Sequence, residues 1–252
     1  MSKIYLFDVD GTLTPAKEKI DSEFQRKFES WMADKEVYIV SGGSFDRIVG
    51  QLGVDIVDKV NGVFACMGNM FVQKIETINN TGYSEWETVY ENKFKAPSDL
   101  YAELLRIVKE SEFPIKTGKH YEERVGMLNF SIVGRNATAA QRKQYEDFDP
   151  EHREREKIVE LLKEKYSKLD FVIGGAVSID IFNIGNDKSQ VVDRYFKEAI
   201  EHNQILFVGD RITFPGNDYA LATALEQHEN GSAYEVESWQ DTAELLKTEA
   251  FA

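Results

Sequence analysis

The chain has 252 residues, which suffices for one large domain or two modest ones, and its 42% apolar and 29% charged residues are ordinary for a globular protein. Its formal net charge of −14 argues against broad affinity for nucleic acids, because phosphate backbones select basic surfaces. A small anionic substrate is still compatible with this charge, since a few local arginines can outweigh the global field. We therefore expect no nucleic-acid partner.

Secretion and membrane insertion are not expected either. Cys66 is the only cysteine, so no disulfide can form within the chain and a reducing compartment fits. The apolar residues 4–7 run directly into acidic residues, unlike a secretory segment. No apolar run approaches the ~20 residues that a helix needs to cross a bilayer. We expect a cytoplasmic protein with no membrane partner.

The first third of the chain alternates strands with helices. Residues 4–7, 37–40 and 62–65 are short apolar runs, as expected for strands that are buried on both faces. Apolar side chains at helical spacing follow the first run after Asp21 and the second run up to Leu52. Alternation of this kind predicts a parallel sheet with right-handed crossovers.

The middle of the chain has a different pattern, in which predicted strands cluster. These strands cover residues 83–89, 126–132, 171–173 and 177–182, and two helical patterns cover 98–110 and 150–166. We interpret this part as an α+β unit, with an antiparallel sheet backed by helices.

After Asn186 the earlier pattern returns, with a helix through His202, a strand at 205–208, a helix after Asp218 and a last helix from Ser238. Both ends of the chain are then expected to form one α/β domain. This interpretation assigns residues 1–81 and 186–252 to a parallel-sheet core and residues 82–185 to an inserted second domain.

An acidic motif, Asp8-Val9-Asp10-Gly11-Thr12, stands where the first predicted strand ends. In an open parallel sheet, ligands bind beyond the carboxyl ends of the strands. Two carboxylates at positions i and i+2 of a strand end would repel each other unless a cation or protons compensate them, and Mg²⁺ prefers such hard oxygen ligands. The alternative is an Asp-Gly turn of the kind that ends many strands.

Three further elements accompany this motif. Ser41-Gly42-Gly43-Ser44 follows the second strand and offers a hydroxyl and backbone amides to a phosphoryl oxygen, or is a turn in which Ser44 caps a helix. Lys188 opens the helix that re-enters the core and is either functional or solvated. Asp210 ends a later strand, just before the turn Gly216-Asn217-Asp218, and would add a third carboxylate unless Gly209-Asp210 is a plain turn.

The middle unit contains side chains that suit a sugar phosphate. Arg124, Arg135 and Arg142 can donate bidentate hydrogen bonds to a phosphate. Ser178 and Asp180 share one face of a strand by its period of two and suit sugar hydroxyls. The alternative is that the arginines are surface residues, paired with the abundant acidic residues of this chain.

The acidic motif and its three companions, in this order, resemble the haloacid-dehalogenase superfamily of phosphotransferases. The resemblance implies a Rossmann-like core with an inserted cap domain. It also implies that Asp8 is the nucleophile, Asp10 the acid/base, Ser41 and Lys188 the groups that hold the phosphoryl group, and Asp8, Asp10 and Asp210 the Mg²⁺ site.

Motifs of the middle unit narrow the resemblance. The patterns Arg-x-Gly-Met-Leu-Asn, Gly-Arg with a second arginine seven residues on, and Gly-Gly-x-x-Ser-x-Asp-x-Phe resemble eukaryotic-type phosphomannomutase, and the likeness runs over essentially the whole chain. It implies that the substrate contacts are Arg124, Arg135, Arg142, Ser178 and Asp180, with Lys17 in place of a family arginine. It further implies a cap that closes over the core and a homodimer formed through the caps.

The chain departs from the family pattern at three places. Lys17 keeps the charge of the family arginine but not its bidentate geometry. Met67-Gly68-Asn69 stands where the family usually has Glu-Asn-Gly, so we expect a reshaped loop. Residues 219–227 lack the acidic and threonine positions of a second, structural cation site, and we do not expect that site here.

Three functions are compatible with these residues. The first is a mutase that interconverts mannose 6-phosphate and mannose 1-phosphate, with glucose 1,6-bisphosphate or mannose 1,6-bisphosphate as activator. The second is a sugar-phosphate phosphatase that uses the same residues with water as the final acceptor. The third is a non-catalytic sugar-phosphate sensor. The three arginines favour the mutase, because a hydrolase has less need to hold a sugar phosphate in two orientations.

Overall fold

The computed structural model describes residues 2–78 and 84–252, which form eleven strands and eight α-helices. The strands are β1 (Lys3–Phe7), β2 (Glu36–Val40), β3 (Gly62–Ala65), β4 (Met70–Ile78), β5 (Ser84–Glu91), β6 (Tyr121–Arg124), β7 (Met127–Phe130), β8 (Leu169–Gly174), β9 (Ser178–Asn183), β10 (Gln204–Gly209) and β11 (Gly231–Glu235).

The helices are α1 (Ser22–Trp31), α2 (Phe45–Leu52), α3 (Val54–Val57), α4 (Leu100–Glu110), α5 (Ala139–His152), α6 (Glu154–Lys165), α7 (Tyr219–Glu226) and α8 (Trp239–Leu245). None of the helices in the described ranges is both long and apolar enough to span a bilayer.

The larger sheet has seven strands in the order β11-β10-β1-β2-β3-β4-β5. Its first five strands run parallel, and β4 and β5 are added antiparallel at one edge. In this register Phe7 lies beside Val208 of β10 and Ile39 of β2. The carboxyl ends of β1, β2 and β10 therefore meet at one edge of the sheet, which is where ligands bind in open α/β sheets.

Helices cover both faces of this sheet, which explains why its central strands are apolar throughout. On one face Phe24 and Phe28 of α1 are fully buried, and Phe28 packs edge-on against Phe7 with ring centroids 5.2 Å apart. On the other face Leu221 and Leu225 of α7 pack against the strands. This double burial makes the sheet a rigid support for the residues at its edge.

The smaller sheet has four antiparallel strands in the order β6-β7-β9-β8, and it is backed by α4, α5 and α6. Successive side chains along its strands point to opposite faces of the sheet, as the strand period of two requires. Leu128 and Ile181 face the helices. Their neighbours Asn129 and Asp180 face the opposite way, toward the edge of the large sheet where β1, β2 and β10 end. The two sheets thus present polar side chains to a common space.

Asn69 joins the two segments in which the chain crosses between the sheets. Its side-chain amide donates to the carbonyl of Asn186 at 3.0 Å, and its carbonyl oxygen accepts from the side chain of Asn92 at 2.9 Å. The preceding Cys66, Met67 and Gly68 all have positive φ values. The segment in which we expected a reshaped loop is thus a left-handed turn. It places Asn69 in contact with both crossing segments.

The predicted class, a parallel-sheet core with a separate antiparallel sheet, is confirmed, but several elements differ from the prediction. The strand expected at 83–89 in the second unit is instead β5, which pairs with β4 in the large sheet. Tyr83 and the proposed boundary between residues 81 and 82 lie outside the described residues, and the division into 1–81, 82–185 and 186–252 stays a prediction.

The helical predictions were wrong in two places. The helix expected at 150–166 is α6, preceded by a longer helix α5 that contains Pro150, and Arg153 in the left-handed region separates them. The helix expected from Asn186 to His202 is mainly a π-helical turn at Val192–Phe196 and a 3-10 turn at Ala199–Glu201.

Candidate active site

The strand ends bring the predicted core residues together. Asp8 follows β1 directly, and its backbone N–H extends the ladder to Val208 of β10 at 3.0 Å. Gly11 turns the chain back with φ at +86°, and a side chain here would collide with the carboxylate of Asp210. Ser41, which follows β2, is buried at the same edge. Because β1, β2 and β10 are neighbouring parallel strands, residues that are distant in sequence share one site.

Lys188 lies beneath Asp8 and is completely buried. Its ammonium donates to the carboxylate of Asp8 at 2.6 Å and to that of Asp218 at 2.5 Å. Asp218 is equally buried, and Gly209 makes room for it, because a side chain at 209 would meet its carboxylate. A buried lysine with two carboxylate partners is therefore fixed in position rather than solvated.

Three carboxylates crowd around the ammonium of Lys188, and Asp210 also lies 3.5 Å from the guanidinium of Arg211. Burial raises the pKa of Asp8 well above its usual value, against the opposing charge of Lys188 and with help from Asp218 and Asp210. Burial, followed by the charge of Asp218, raises the pKa of Asp210 to about 7. Burial lowers the pKa of Lys188, but Asp218 and Asp8 outweigh it, so the net shift is upward and the ammonium stays protonated. One ammonium thus faces three carboxylates.

A divalent cation fits this arrangement. Oxygen atoms of Asp8, Asp210 and Asp218 lie within 4.8 Å of one another, and among the side chains that the structure describes no other set of three acidic, histidine or cysteine residues is as close. Crowded carboxylate oxygens are the ligands that Mg²⁺ prefers.

The carboxylate of Asp10 is not part of this crowded group, and the predicted cation site of Asp8, Asp10 and Asp210 stays a prediction. The Asp10 carboxylate accepts hydrogen bonds from the backbone N–H of Lys17 at 2.6 Å and from the side-chain amide of Gln51 at 2.8 Å, and it forms an ion pair with Arg47. The third carboxylate of the crowded group is that of Asp218. The acidic motif therefore separates its two carboxylates, which relieves the repulsion between them.

The loop after β2 faces the same space. The hydroxyl of Ser41 accepts from the backbone N–H of Gly43 at 3.1 Å, which tightens the turn. Arg124, from the end of β6, donates to the carbonyl of Gly42 at 2.7 Å and so ties the two sheets together. Ser44 begins α2 as its N-cap residue, but its hydroxyl makes no capping hydrogen bond. The turn is better explained by the site that it borders than by helix capping.

A cationic cluster lies opposite, on the smaller sheet. A single oxygen of Glu122 accepts from Arg124 at 2.7 Å and also from Arg135. Arg135 donates in addition to Asn129 at 2.7 Å, and Asn129 donates to Asp180 at 2.6 Å. These hydrogen bonds link the groups predicted to hold a phosphate with the carboxylate predicted to hold sugar hydroxyls.

Arg142 and Lys17 complete the cationic side. Arg142, on α5, donates to the carbonyl of Ala137 at 2.8 Å. Lys17 as a whole is exposed, but partial desolvation where it lines the cavity, followed by the charges of Arg135, Arg47 and Arg142, lowers its pKa to about 8. These neighbouring cations repel one another, so a bound anion would stabilise their charged forms.

These groups line one concave cavity that opens to solvent between the two sheets, the kind of place where small molecules bind. Ser178 lies on its wall, and its hydroxyl donates to the carbonyl of Gly174 at 2.8 Å. Every residue predicted for the site lines this cavity except Lys188, which lies beneath Asp8: the lining set is Asp8, Asp10, Lys17, Ser41, Arg124, Arg135, Arg142, Ser178, Asp180 and Asp210.

Sequence reasoning did not assign roles to five residues that the structure adds: Arg47, Gln51, Glu122, Asn129 and Asp218. Asp218 and Asn129 stood inside quoted motifs but were given no role there. Nothing in the sequence marks Arg47, Gln51 or Glu122, because helices and strands with charged residues at these spacings are common on protein surfaces.

Comparison with known proteins places this site in a family. The family model described as eukaryotic phosphomannomutase matches residues 24–251. The chain belongs to this family. The phosphomannomutase of Saccharomyces cerevisiae is 32% identical over 250 residues, covering 98% of this chain and 94% of the relative. The phosphomannomutase of Dendrobium officinale is 34% identical over 246 residues, covering 97% and 92%.

Solved structures agree with the family at the level of the fold. The C-terminal domain of trehalose-6-phosphate phosphatase from C. albicans aligns with a TM-score of 0.58 and 18% identity, over 94% of this chain and 84% of that domain. An IMP-nucleotidase mutant from Plasmodium falciparum aligns with a TM-score of 0.61 and 14% identity, over 98% of this chain and 66% of that one. At this identity the similarity is one of fold alone.

Proposed function

We propose that this protein is a phosphomannomutase, which interconverts mannose 6-phosphate and mannose 1-phosphate through an aspartyl phosphate on Asp8. Membership of the phosphomannomutase family supports the reaction. The observation that carries the assignment in this chain is the cavity, which has the buried carboxylate of Asp8, bonded to Lys188 beneath it, on one wall and a cluster of guanidinium groups on the other. One wall suits the transferred phosphoryl group, and the other suits a phosphate that does not react.

The chemical step requires a nucleophile and a proton source. A carboxylate oxygen of Asp8 attacks phosphorus, the bond from phosphorus to the sugar oxygen breaks, and Asp10 delivers a proton to the departing oxygen. Lys188 holds Asp8 in place and neutralises charge next to it. In the return step Asp10 takes a proton from the second sugar hydroxyl, which attacks the aspartyl phosphate. A hexose 1,6-bisphosphate supplies the first phosphoryl group.

The cap wall holds the substrate in either orientation. Arg135, Arg142 and Lys17 bind the phosphate that does not react, because guanidinium groups donate paired hydrogen bonds to phosphate oxygens. Ser178 and Asp180 bind sugar hydroxyls. Arg124 contributes through the contact between the sheets, since its two described donations go to Gly42 and Glu122.

We also propose that Mg²⁺ is the cofactor and that Asp8 and Asp210 bind it. When bound, Mg²⁺ neutralises the anionic phosphoryl group so that a carboxylate can approach it. Support comes from the crowded oxygens and from the pKa of Asp210, which burial and then the charge of Asp218 raise to about 7. The membership of Asp10 in the cation site stays a prediction.

A thermal-shift experiment tests the cofactor. Without metal, the native state keeps the proton of Asp210 from about pH 4, near the unfolded pKa, up to about 7. This contribution to stability is complete below about pH 4 and is lost as the pH rises through 7. Mg²⁺ favours the ionised carboxylates, so it should raise Tm more at pH 8 than at pH 5. An equal or absent shift at both values would contradict the proposal.

The reaction itself is tested by incubating the enzyme with mannose 1-phosphate and a trace of glucose 1,6-bisphosphate. We expect mannose 6-phosphate to accumulate, with little free phosphate. If free phosphate appears faster than mannose 6-phosphate, the protein is a phosphatase that uses the same residues. If neither product appears, the non-catalytic alternative holds.

A cytoplasmic homodimer formed through the caps is part of the proposal. On the cap helices α4 and α6, Leu105 and Leu161 are 43% and 41% exposed, and apolar side chains of this size suit an interface between copies. Light scattering should give twice the mass of 28.8 kDa, and the double variant Leu105→Lys/Leu161→Lys should give the monomer. A monomeric wild-type protein would exclude the dimer.

A further inference from the structure

The side chain of Asp10 is held from one helix, α2. Arg47 pairs with one carboxylate oxygen, and the amide of Gln51 donates to the other at 2.8 Å. The two residues are one helical turn apart and are joined to each other, because Arg47 donates from Nε to Gln51 at 3.0 Å. Gln51 is buried and is further tied to the hydroxyl of Thr14 at 3.1 Å. Two partners of the Asp10 carboxylate, Arg47 and Gln51, are therefore also hydrogen-bonded to each other.

This network is separate from the one around the nucleophile. The described hydrogen bonds of the Asp10 carboxylate go to Lys17, Arg47 and Gln51, whereas Lys188 joins Asp8 to Asp218. Loss of Arg47 would therefore leave Oδ2 of Asp10 without its described partner and would not remove a partner of Asp8. Each carboxylate of the acidic motif therefore has its own set of hydrogen-bond partners.

We infer that Arg47 is a positioning residue for Asp10, which fixes the carboxylate where it can protonate the departing oxygen. The inference rests on the proposed roles of Asp8 and Asp10. In the step concerned, the bond from Asp8 to phosphorus forms, the bond from phosphorus to the leaving oxygen breaks, and the proton of Asp10 passes to that oxygen. A proton donor misplaced by about 1 Å loses much of its effect on such a step.

A competing role is direct contact between Arg47 and the phosphate that does not react, since Arg47 also lines the cavity. Two small substrates without a second phosphate separate the two roles. The leaving group of 4-nitrophenyl phosphate departs as a stable anion, whereas that of 4-nitrobenzyl phosphate must be protonated. Only a defect in proton delivery distinguishes between these substrates.

The experiment compares the wild type with Arg47→Met and Arg47→Lys, and measures single-turnover phosphorylation of Asp8 by each substrate. For Arg47→Met we expect a fall of about a hundredfold with 4-nitrobenzyl phosphate and less than about threefold with 4-nitrophenyl phosphate, because general acid catalysis contributes at least about a hundredfold. Arg47→Lys should recover part of the loss. The matched control is Arg26→Met, an exposed arginine of α1, which should change neither rate.

A double-mutant cycle with Asp10→Asn gives a second measurement, using mannose 1-phosphate. If Arg47 acts through Asp10, then Arg47→Met should cost less than about threefold in the Asp10→Asn background, since residues that act together are not additive. Equal losses with both small substrates, or additive losses in the cycle, would overturn the inference. A wild type that phosphorylates Asp8 but makes no mannose 6-phosphate would instead contradict the mutase proposal and leave this inference standing.

Discussion

The two walls of the cavity are built in different ways. On the core wall, Asp8 is buried at a strand end of a sheet covered on both faces, and Lys188 beneath it bonds to both Asp8 and the buried Asp218. On the cap wall, Arg135 and Arg142 are partly exposed and bond to Glu122, Asn129 and backbone carbonyls. The core wall is thus fixed by desolvated charge, and the cap wall by a few exchangeable hydrogen bonds.

This difference fits the demands of the two walls. The group that attacks phosphorus must be held in one geometry, and burial makes each misplacement of a charge expensive. A wall that must accept a phosphate in two orientations works better if its donors can change partners. We therefore expect changes in the core wall to affect chemistry and folding together, and changes in the cap wall to affect binding alone.

The largest effect should come from Asp8→Asn. The amide keeps the shape but cannot attack phosphorus, so turnover should fall at least about ten-thousandfold, as for the loss of a nucleophile. Binding of mannose 1-phosphate, measured by calorimetry, should change little, because the cap wall is untouched. Turnover near the wild-type rate would refute the role of Asp8.

The next effect should come from Lys188→Met, which leaves three crowded carboxylates without their ammonium. Removing one partner from a buried ionic network costs about 3–5 kcal/mol, so the midpoint of urea unfolding should fall accordingly. The double variant Lys188→Met/Asp218→Asn is the matched control, and it should recover part of the lost stability. A single variant as stable as the wild type would mean that the core wall is not held by charge.

A smaller effect, confined to binding, is expected for Arg142→Ala. Loss of a hydrogen bond to a charged group costs about 1.5–3 kcal/mol, so KM for mannose 1-phosphate should rise roughly ten- to a hundredfold. Thermal stability should be almost unchanged, because only one donation of Arg142, to Ala137, is described. A large fall in Tm with an unchanged KM would show that this arginine is structural.

The smallest effect concerns pH. The pKa of Lys17, lowered to about 8, means that its ammonium is present below this pH and is lost as the pH rises through it. Since kcat/KM reports on the free enzyme, it should decline a few-fold between about pH 7.5 and 9. Lys17→Arg should remove this decline, because a guanidinium stays protonated. An identical decline in both proteins would assign it to another group.

Much of the fold followed from local pattern. Apolar runs at 4–7 and 37–40 are buried on both faces and became β1 and β2, with bounds within one residue. The expected helix from Asn186 failed for a physical reason: its apolar residues Val191, Val192, Phe196 and Ile200 fill the space beside the sheet whether or not the backbone is regular. Strand β5 was assigned to the wrong sheet because pairing partners are chosen by tertiary contact.

The sequence by itself determined which side chains could carry the chemistry, since the acidic motif, the lysine and the three arginines are chemical facts of the chain with meaningful spacing. Only the tertiary structure decided how they are grouped. It joined Lys188 to Asp218 and turned Asp10 toward Arg47, leaving Asp8, Asp210 and Asp218 as the crowded set. The reason is that ion pairs form between whichever charges folding buries side by side, and distance along the chain carries no information about that.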